Sequence, residues 1–325
     1  MSLGVGALVI SALLAIGIGH FSIGQEEIIR AFLQKPTAAN ASIILWNVRI
    51  PRIVMSIIAG SGLAAAGLSF QSLFANPLAT PDTLGTAQGA SFGAALGILF
   101  GWKAGFIQSL ALLCGILAVL LVFTVTSSLG KDGSRFIVTV ILAGMVISTL
   151  FGALVSLLKY MADPQDQLPA ITFWLMGGFS GITKRSLMFS FPMIITGIVV
   201  LYALRFRLNV LSLSEEEAIS LGTSVPLLRV LVILFASGIT ASIVAVCGVI
   251  GWVGLLIPHM ARMLVGNDMR RCMPASIVLG GLFLLWTDTL ARTVAVAEIP
   301  VSIFTAVIGA PVFIILLRKT GGIRA

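Results

Sequence analysis

The chain is short of charge, of acidic residues in particular, and of nearly every side chain from which soluble catalytic centres are built. Only 10% of its 325 residues are Asp, Glu, Lys or Arg, against roughly 25% in an average soluble domain. Twelve acids and twenty bases cannot cover a globule of this length in water, and 58% of the residues are hydrophobic. Soluble enzymes and nucleic-acid binders are therefore excluded, and most of the surface must face membrane lipid or other apolar helices. Cysteine is scarce as well: Cys114, Cys247 and Cys272 lie in or beside apolar segments without C-x-x-C spacing, which indicates neither a disulfide framework nor a zinc site. His20 and His259 are the two histidines, and neither has a cysteine or carboxylate at ligand spacing, so no metal, cofactor or nucleophilic site is expected. A phosphate-binding loop is missing too, because Gly130-Lys131-Asp132 has neither the upstream glycine nor the hydroxyl residue the loop needs. The chain is not expected to hydrolyse ATP alone.

Apolar sequence is what the chain has in quantity. Nine runs free of Asp, Glu, Lys and Arg span 1–25, 53–81, 83–102, 104–130, 136–158, 186–204, 230–261, 272–287 and 299–317, to be compared with the about 20 residues that cross a bilayer core. The run 230–261 is too long for one straight helix and contains Gly248, Gly251, Gly254 and Pro258, which predicts two helices with a break near Gly248 to Gly251. The run 272–287 is short, and spans only if it continues past Asp288, either near the interface or with that carboxylate paired to Arg292 four residues on. The expected fold is an all-α polytopic membrane protein of about ten transmembrane helices, with both termini cytoplasmic. Basic residues beyond position 200 support that orientation, since Arg292 alone among them falls outside. No basic stretch precedes residues 3–19, so they read as a first span and not as a cleavable signal. Arg52 before Gly60, Gly62 and Gly67, and Arg229 before Gly238 and Gly248, each followed by an X-Pro break, suggest two pseudo-repeated halves of five spans.

Four segments stand out between and within these runs. Gln25 to Leu33 has charges on one face and apolar residues on the other, the pattern of an interfacial helix in the outside segment 20–52. The stretch Phe173 to Gly178, in the outside segment 159–185, is too short to cross and too apolar for a free loop, which suggests a partly inserted helix. Inside, Ser214 three residues before Glu217 forms a capping-box pattern, and Glu215, Glu216 and Glu217 occupy the first turn, where the helix dipole favours negative charge. Leu213, Ala218 and Leu221 could supply an apolar side and Gly222 a C-terminal cap. This short acidic helix reads either as a solvated connector or as a contact for another subunit. In the third run Gly89, Gly93, Gly97 and Gly101 recur every fourth residue, a stripe that lets a second helix pack closely. Arg49, Arg52 and Arg292 are outside charges that go against the positive-inside bias. They fit either snorkelling anchors or guanidinium forks that receive carboxylates from a docking protein or an anionic ligand. No run has an acid at its centre, as ion-coupled carriers usually do.

In order along the chain, Arg49-Ile-Pro-Arg52, Gln71 through Asn76-Pro77 to Gly85, Gly89 to Gly93, Trp174 to Gly177, Leu211 to Gly222, Gly251 through Pro258-His259 to Arg262, Asp288 to Arg292 and Glu298 through Thr305 to Pro311 resemble the FecCD-type permeases. These are membrane subunits of ABC importers for iron-siderophores, haem and cobalamin. The resemblance implies one transmembrane permease domain over 1–325 with a cytoplasmic coupling segment at 205–229, in a bacterial or archaeal cytoplasmic membrane. It implies a second permease subunit (the same chain or a paralogue), two ATP-binding ABC subunits and an extracytoplasmic substrate-binding protein. Under it Arg49, Arg52 and Arg292 take the docking positions. Ser214, Glu215, Glu216, Glu217, Ala218, Leu221 and Gly222 take the ATPase-coupling positions, and Asn76 and Leu78 form a cytoplasmic gate. A siderophore-type iron chelate is the expected cargo, with haem, cobalamin or an oxyanion such as molybdate as alternatives. An ion-coupled secondary transporter and a non-transporting scaffold are the competing classes.

Overall fold

The computed structural model describes residues 2–19, 24–33, 41–127, 133–212, 215–220, 222–295 and 297–319. Thirteen helices, and no strand among the described residues, build an all-helical bundle. They are α1 (Ser2–Gly17), α2 (Gln25–Phe32), α3 (Ala41–Leu73), α4 (Thr86–Leu99), α5 (Ala104–Ser127), α6 (Gly133–Met161), α7 (Gln167–Leu175), α8 (Lys184–Leu208), α9 (Glu215–Ser220), α10 (Val225–Cys247), α11 (Val253–Val265), α12 (Met269–Ala291) and α13 (Val301–Lys319).

Each apolar run holds a helix, but the lengths differ from the expectation. Six helices, α3, α5, α6, α8, α10 and α12, are long and apolar enough to cross a membrane. The others are shorter, and the 14 residues of α4 rise only about 21 Å against a hydrocarbon core of about 30 Å. The predicted break in 230–261 is present. Helix α10 ends at Cys247, Gly248 takes φ +68 and Trp252 φ +72, and α11 begins at Val253. Glycine is needed here for space as well as for angle. A Cβ on Gly248 would lie 2.2 Å from the Trp174 carbonyl oxygen, and one on Gly177 2.2 Å from that of Val249. The Gly178 N–H donates to the Cys247 carbonyl at 2.7 Å, so the end of α7 holds the break in place.

Helix α3 is the axis of the bundle. Its backbone touches that of α12 where Gly60 faces Gly280, and that of α11 where Gly67 faces Gly254. An added Cβ on Gly60 or Gly67 would lie 2.1 Å or 2.0 Å from the opposing carbonyl oxygen. Ala59, Ala64, Ala65 and Ala66 are fully buried on the same helix, the small-residue packing that replaces a hydrophobic driving force in lipid. The helix also starts earlier than expected. The charge-free run begins after Arg52, whereas the helix begins at Ala41 and passes through a π-helical stretch, Ile44–Arg49, before continuing. Two arginines taken as the boundary of the span therefore lie inside it.

Candidate functional site

Arg49 and Arg52 sit on α3, one turn apart, Arg49 closing the π-helical stretch and Arg52 just after it. Both are buried, as is Arg292 at the end of α12. Arg52 reaches Asp288 in the last turn of α12: its Nε donates to both carboxylate oxygens at 3.0 Å and its Nη2 to Oδ1 at 2.8 Å. The Nη1 group donates to both oxygens of Glu298, at 2.8 and 2.9 Å. Exposure of the three side chains is 6% for Arg52, 0% for Asp288 and 35% for Glu298. A buried carboxylate is tolerable only when paired and hydrogen-bonded, and Asp288 is both.

Arg52, a candidate fork for a docking partner, is thus held by two carboxylates of its own chain. Of the two alternatives for Asp288, an interfacial position or a pair with Arg292, neither describes its ion pair, which is with Arg52. Arg292 instead donates through Nη2 to the Ala15 carbonyl at 2.6 Å, and Arg49 through Nη1 to the Ile16 carbonyl at 2.6 Å. Both thus tie α1 to the bundle. Among the described residues no carboxylate lies within ion-pair distance of Arg292, and its Nε finds no acceptor.

Beside the cluster opens a cleft of about 430 Å³, with Arg52 and Glu298 on its wall and Phe173, Trp174, Phe179 and Pro300 among its apolar lining. It lies where α7 and α10 end and α13 begins. The pairing of Arg52 with residues 236 and 246 positions away leaves no local signal in the sequence that points from Arg52 to Asp288 or Glu298. An arginine and an acid each placed within or beside an apolar run was the available clue.

The opposite end of α8 leads to the acidic segment. Helix α9 covers only Glu215–Ser220. Ala218 is buried and Glu217 exposed, and Gly222 takes φ +73 with its N–H on the Ile219 carbonyl and that of Thr223 on Ala218, a glycine C-cap. Ser214 and Leu221, and the side chains of Glu215 and Glu216, lie outside the described residues. Nearby, Asp268 caps α12 by accepting from the Arg270 N–H at 3.0 Å and from Asn209 Nδ2 at 2.8 Å. These two bonds, the Arg270 N–H first, hold its carboxyl below the usual range.

Asn76 and Leu78 form an exposed turn between α3 and α4, in which the Asn76 Oδ1 accepts from the Leu78 N–H at 2.9 Å and Ala75 takes φ +46. Of the glycine stripe, Gly89, Gly93 and Gly97 face α5, where an added Cβ would lie 2.6 Å from the Cys114 carbonyl oxygen, 2.5 Å from that of Leu110 and 3.1 Å from Ile107. Gly101 is different. It meets nothing within 4 Å and takes φ +66, so it ends α4 and packs against no helix. Among the described residues no cluster of three or more His, Cys, Asp or Glu could hold a metal ion.

Comparison with known proteins places this architecture. The model of the FecCD transport family matches residues 7–319. The molybdate import system permease protein MolB of Haemophilus influenzae is 40% identical over 316 residues, covering 96% of this chain and 93% of its own length. A Helicobacter pylori (strain 26695) protein named probable iron chelatin transport system permease protein is 35% identical over 324 residues, covering 98% and 97%. Among solved structures, one described as an inward-facing conformation of a metal-chelate type ABC transporter superposes with a TM-score of 0.87 at 39% identity, covering 96% of both chains.

Proposed function

This chain belongs to the FecCD transport family, and from that premise we propose that it is the permease subunit of a binding-protein-dependent ABC importer whose cargo is a metal in complexed form, an iron chelate in the first instance. Its ten apolar helices cross a bacterial or archaeal cytoplasmic membrane with both termini inside. Two copies, or this chain and a paralogue, enclose the path. Two ATPase subunits sit beneath and drive transport, and a substrate-binding protein docks above.

The observation that carries this reading is the separation of the polar groups. Arginines and carboxylates gather at one end of the bundle around Arg52, the acidic helix α9 lies at the other, and α8, with 25 residues or about 37 Å of rise, connects them. One end suits a docking protein and the other an ATPase seated on α9, with packed apolar helices between to relay movement. Within this division Arg49, Arg52 and Arg292 serve docking, residues 214–222 serve coupling, and the exposed Asn76–Leu78 turn forms a cytoplasmic gate with its counterpart in the second subunit.

Molybdate is a second reading of the cargo, favoured by the 40% identity to a molybdate permease. Reconstitution of the chain with its ATPase and binding protein in liposomes separates the two, with uptake of a radioactive iron-siderophore measured beside uptake of radioactive molybdate. Vanadate-sensitive uptake of the iron complex is expected. Uptake by this chain alone, driven by an ion gradient, would instead make it a secondary carrier.

A further inference from the structure

The two carboxylates share the Arg52 guanidinium unequally. Asp288 takes the Nε and Nη2 edge from a fully buried place on α12, so removing it strands a buried cation, which proteins tolerate poorly. Glu298 takes only Nη1, from a non-helical stretch before α13, and 35% of its side chain is exposed on the wall of the cleft. A pair this open is screened by water and salt and holds weakly. The edge of Arg52 nearest the cleft is therefore covered by a carboxylate that another carboxylate could replace. Arg292 lies close enough to both carboxylates to interact with them electrostatically, and Arg49 lies close to Arg292.

We infer that Glu298 is an internal stand-in for the docking partner: it occupies on Arg52 Nη1 the place that an acidic side chain of the docked binding protein takes, and docking exchanges one carboxylate for the other. The inference rests on the docking reading above. The apolar cleft wall receives the stem of the incoming side chain, and Arg49 and Arg292 supply the positive field that draws it in. Once displaced, Glu298 frees the stretch that runs through Pro300 into α13, so the exchange carries docking to the start of that helix.

The test uses the full permease–ATPase complex in lipid nanodiscs and the separately purified substrate-binding protein of the same import system. Affinity is measured across a salt series for wild type, Glu298→Gln, Glu298→Ala and the Arg49→Glu/Arg292→Glu pair, with an unfolding midpoint recorded for each. Without its competitor Arg52 is open, so both Glu298 variants are expected to bind about threefold to fivefold more tightly, the equivalent of one part-exposed ion pair. Their affinity is also expected to fall more steeply with salt, which a purely structural role would not produce. Equal or weaker binding by Glu298 variants that unfold at the wild-type midpoint, with the arginine reversals still abolishing docking, overturns the exchange and leaves the docking reading standing. Wild-type affinity in all variants overturns both.

Discussion

Helices α3 and α8 are both long, apolar and free of any carboxylate, yet 89% of the most apolar window of α3 is buried and only 22% of that of α8. Apolarity does not separate them; side-chain size does. Between Ala59 and Gly67, α3 carries three glycines and four alanines in nine residues, and α11 and α12 approach until backbones touch. Helix α8 carries Met188, Phe191, Val199 and Phe206 on an exposed face, where Phe206 is met by the Arg205 and Arg270 guanidinium groups and by no interlocking apolar helix. In lipid a large apolar residue gains little by turning inward, because acyl chains solvate it equally well, whereas a small one allows a close contact that lipid cannot offer. The buried helix is also the one that carries buried charge, since a position walled by other helices can be furnished with counter-ions.

Substitutions can sharpen this contrast, and the largest effect belongs to α3. Gly60→Leu forces the α3 and α12 backbones apart and should cost more than about 3 kcal/mol, read as loss of monodisperse protein on size-exclusion chromatography in detergent. Next comes the buried pair. Asp288→Asn should lower stability by about 3–5 kcal/mol, while Arg52→Met combined with Asp288→Leu should recover much of that loss, because an apolar pair fills the space without desolvated charge. Thermal unfolding of the three proteins decides it. Gly93→Ala, between α4 and α5, should cost about 1–3 kcal/mol, since its methyl group meets a carbonyl oxygen. Helix α8 should be indifferent. Met188→Ala and Val199→Ala, at positions 72% and 59% exposed, are expected to shift stability by less than about 0.5 kcal/mol, and a loss as large as that of Gly93→Ala would break the comparison.

A smaller effect concerns the start of α12. The carboxyl of Asp268 is held below its ordinary range in the folded chain. Its contribution is therefore complete above the unfolded-state pKa and is lost as pH falls through the lower folded value. Amide exchange at the Arg270 N–H should lose protection over that acidic window in wild type, and Asp268→Ala should show the reduced protection already at neutral pH.

The helices and the break at Gly248 could be read in the sequence because each leaves a local mark: an apolar run, or glycines clustered where a helix would overshoot. The glycine stripe was legible for the same reason up to Gly97, whereas at Gly101 periodicity continued one step beyond the helix itself. What counting charges hid was the start of α3. A rule that stops a span at the first arginine fails where the arginine is neutralised, and the neutralising acids lie more than two hundred residues away. Arg49, Arg52 and Arg292 stand out in the sequence because they go against the inside bias, and all three are buried; a cation held by the fold has no need to obey that bias.

The contacts of Gly60 with Gly280 and of Gly67 with Gly254 have a mechanical meaning. Backbone against backbone leaves no side chain between the helices to flex or change rotamer, so α3, α11 and α12 resist sliding past one another. With α3 about 50 Å long, a push on the Arg52 end arrives at the Asn76 turn nearly undiminished, as through a stiff rod, and bending must be taken up by the looser, lipid-facing helices around it.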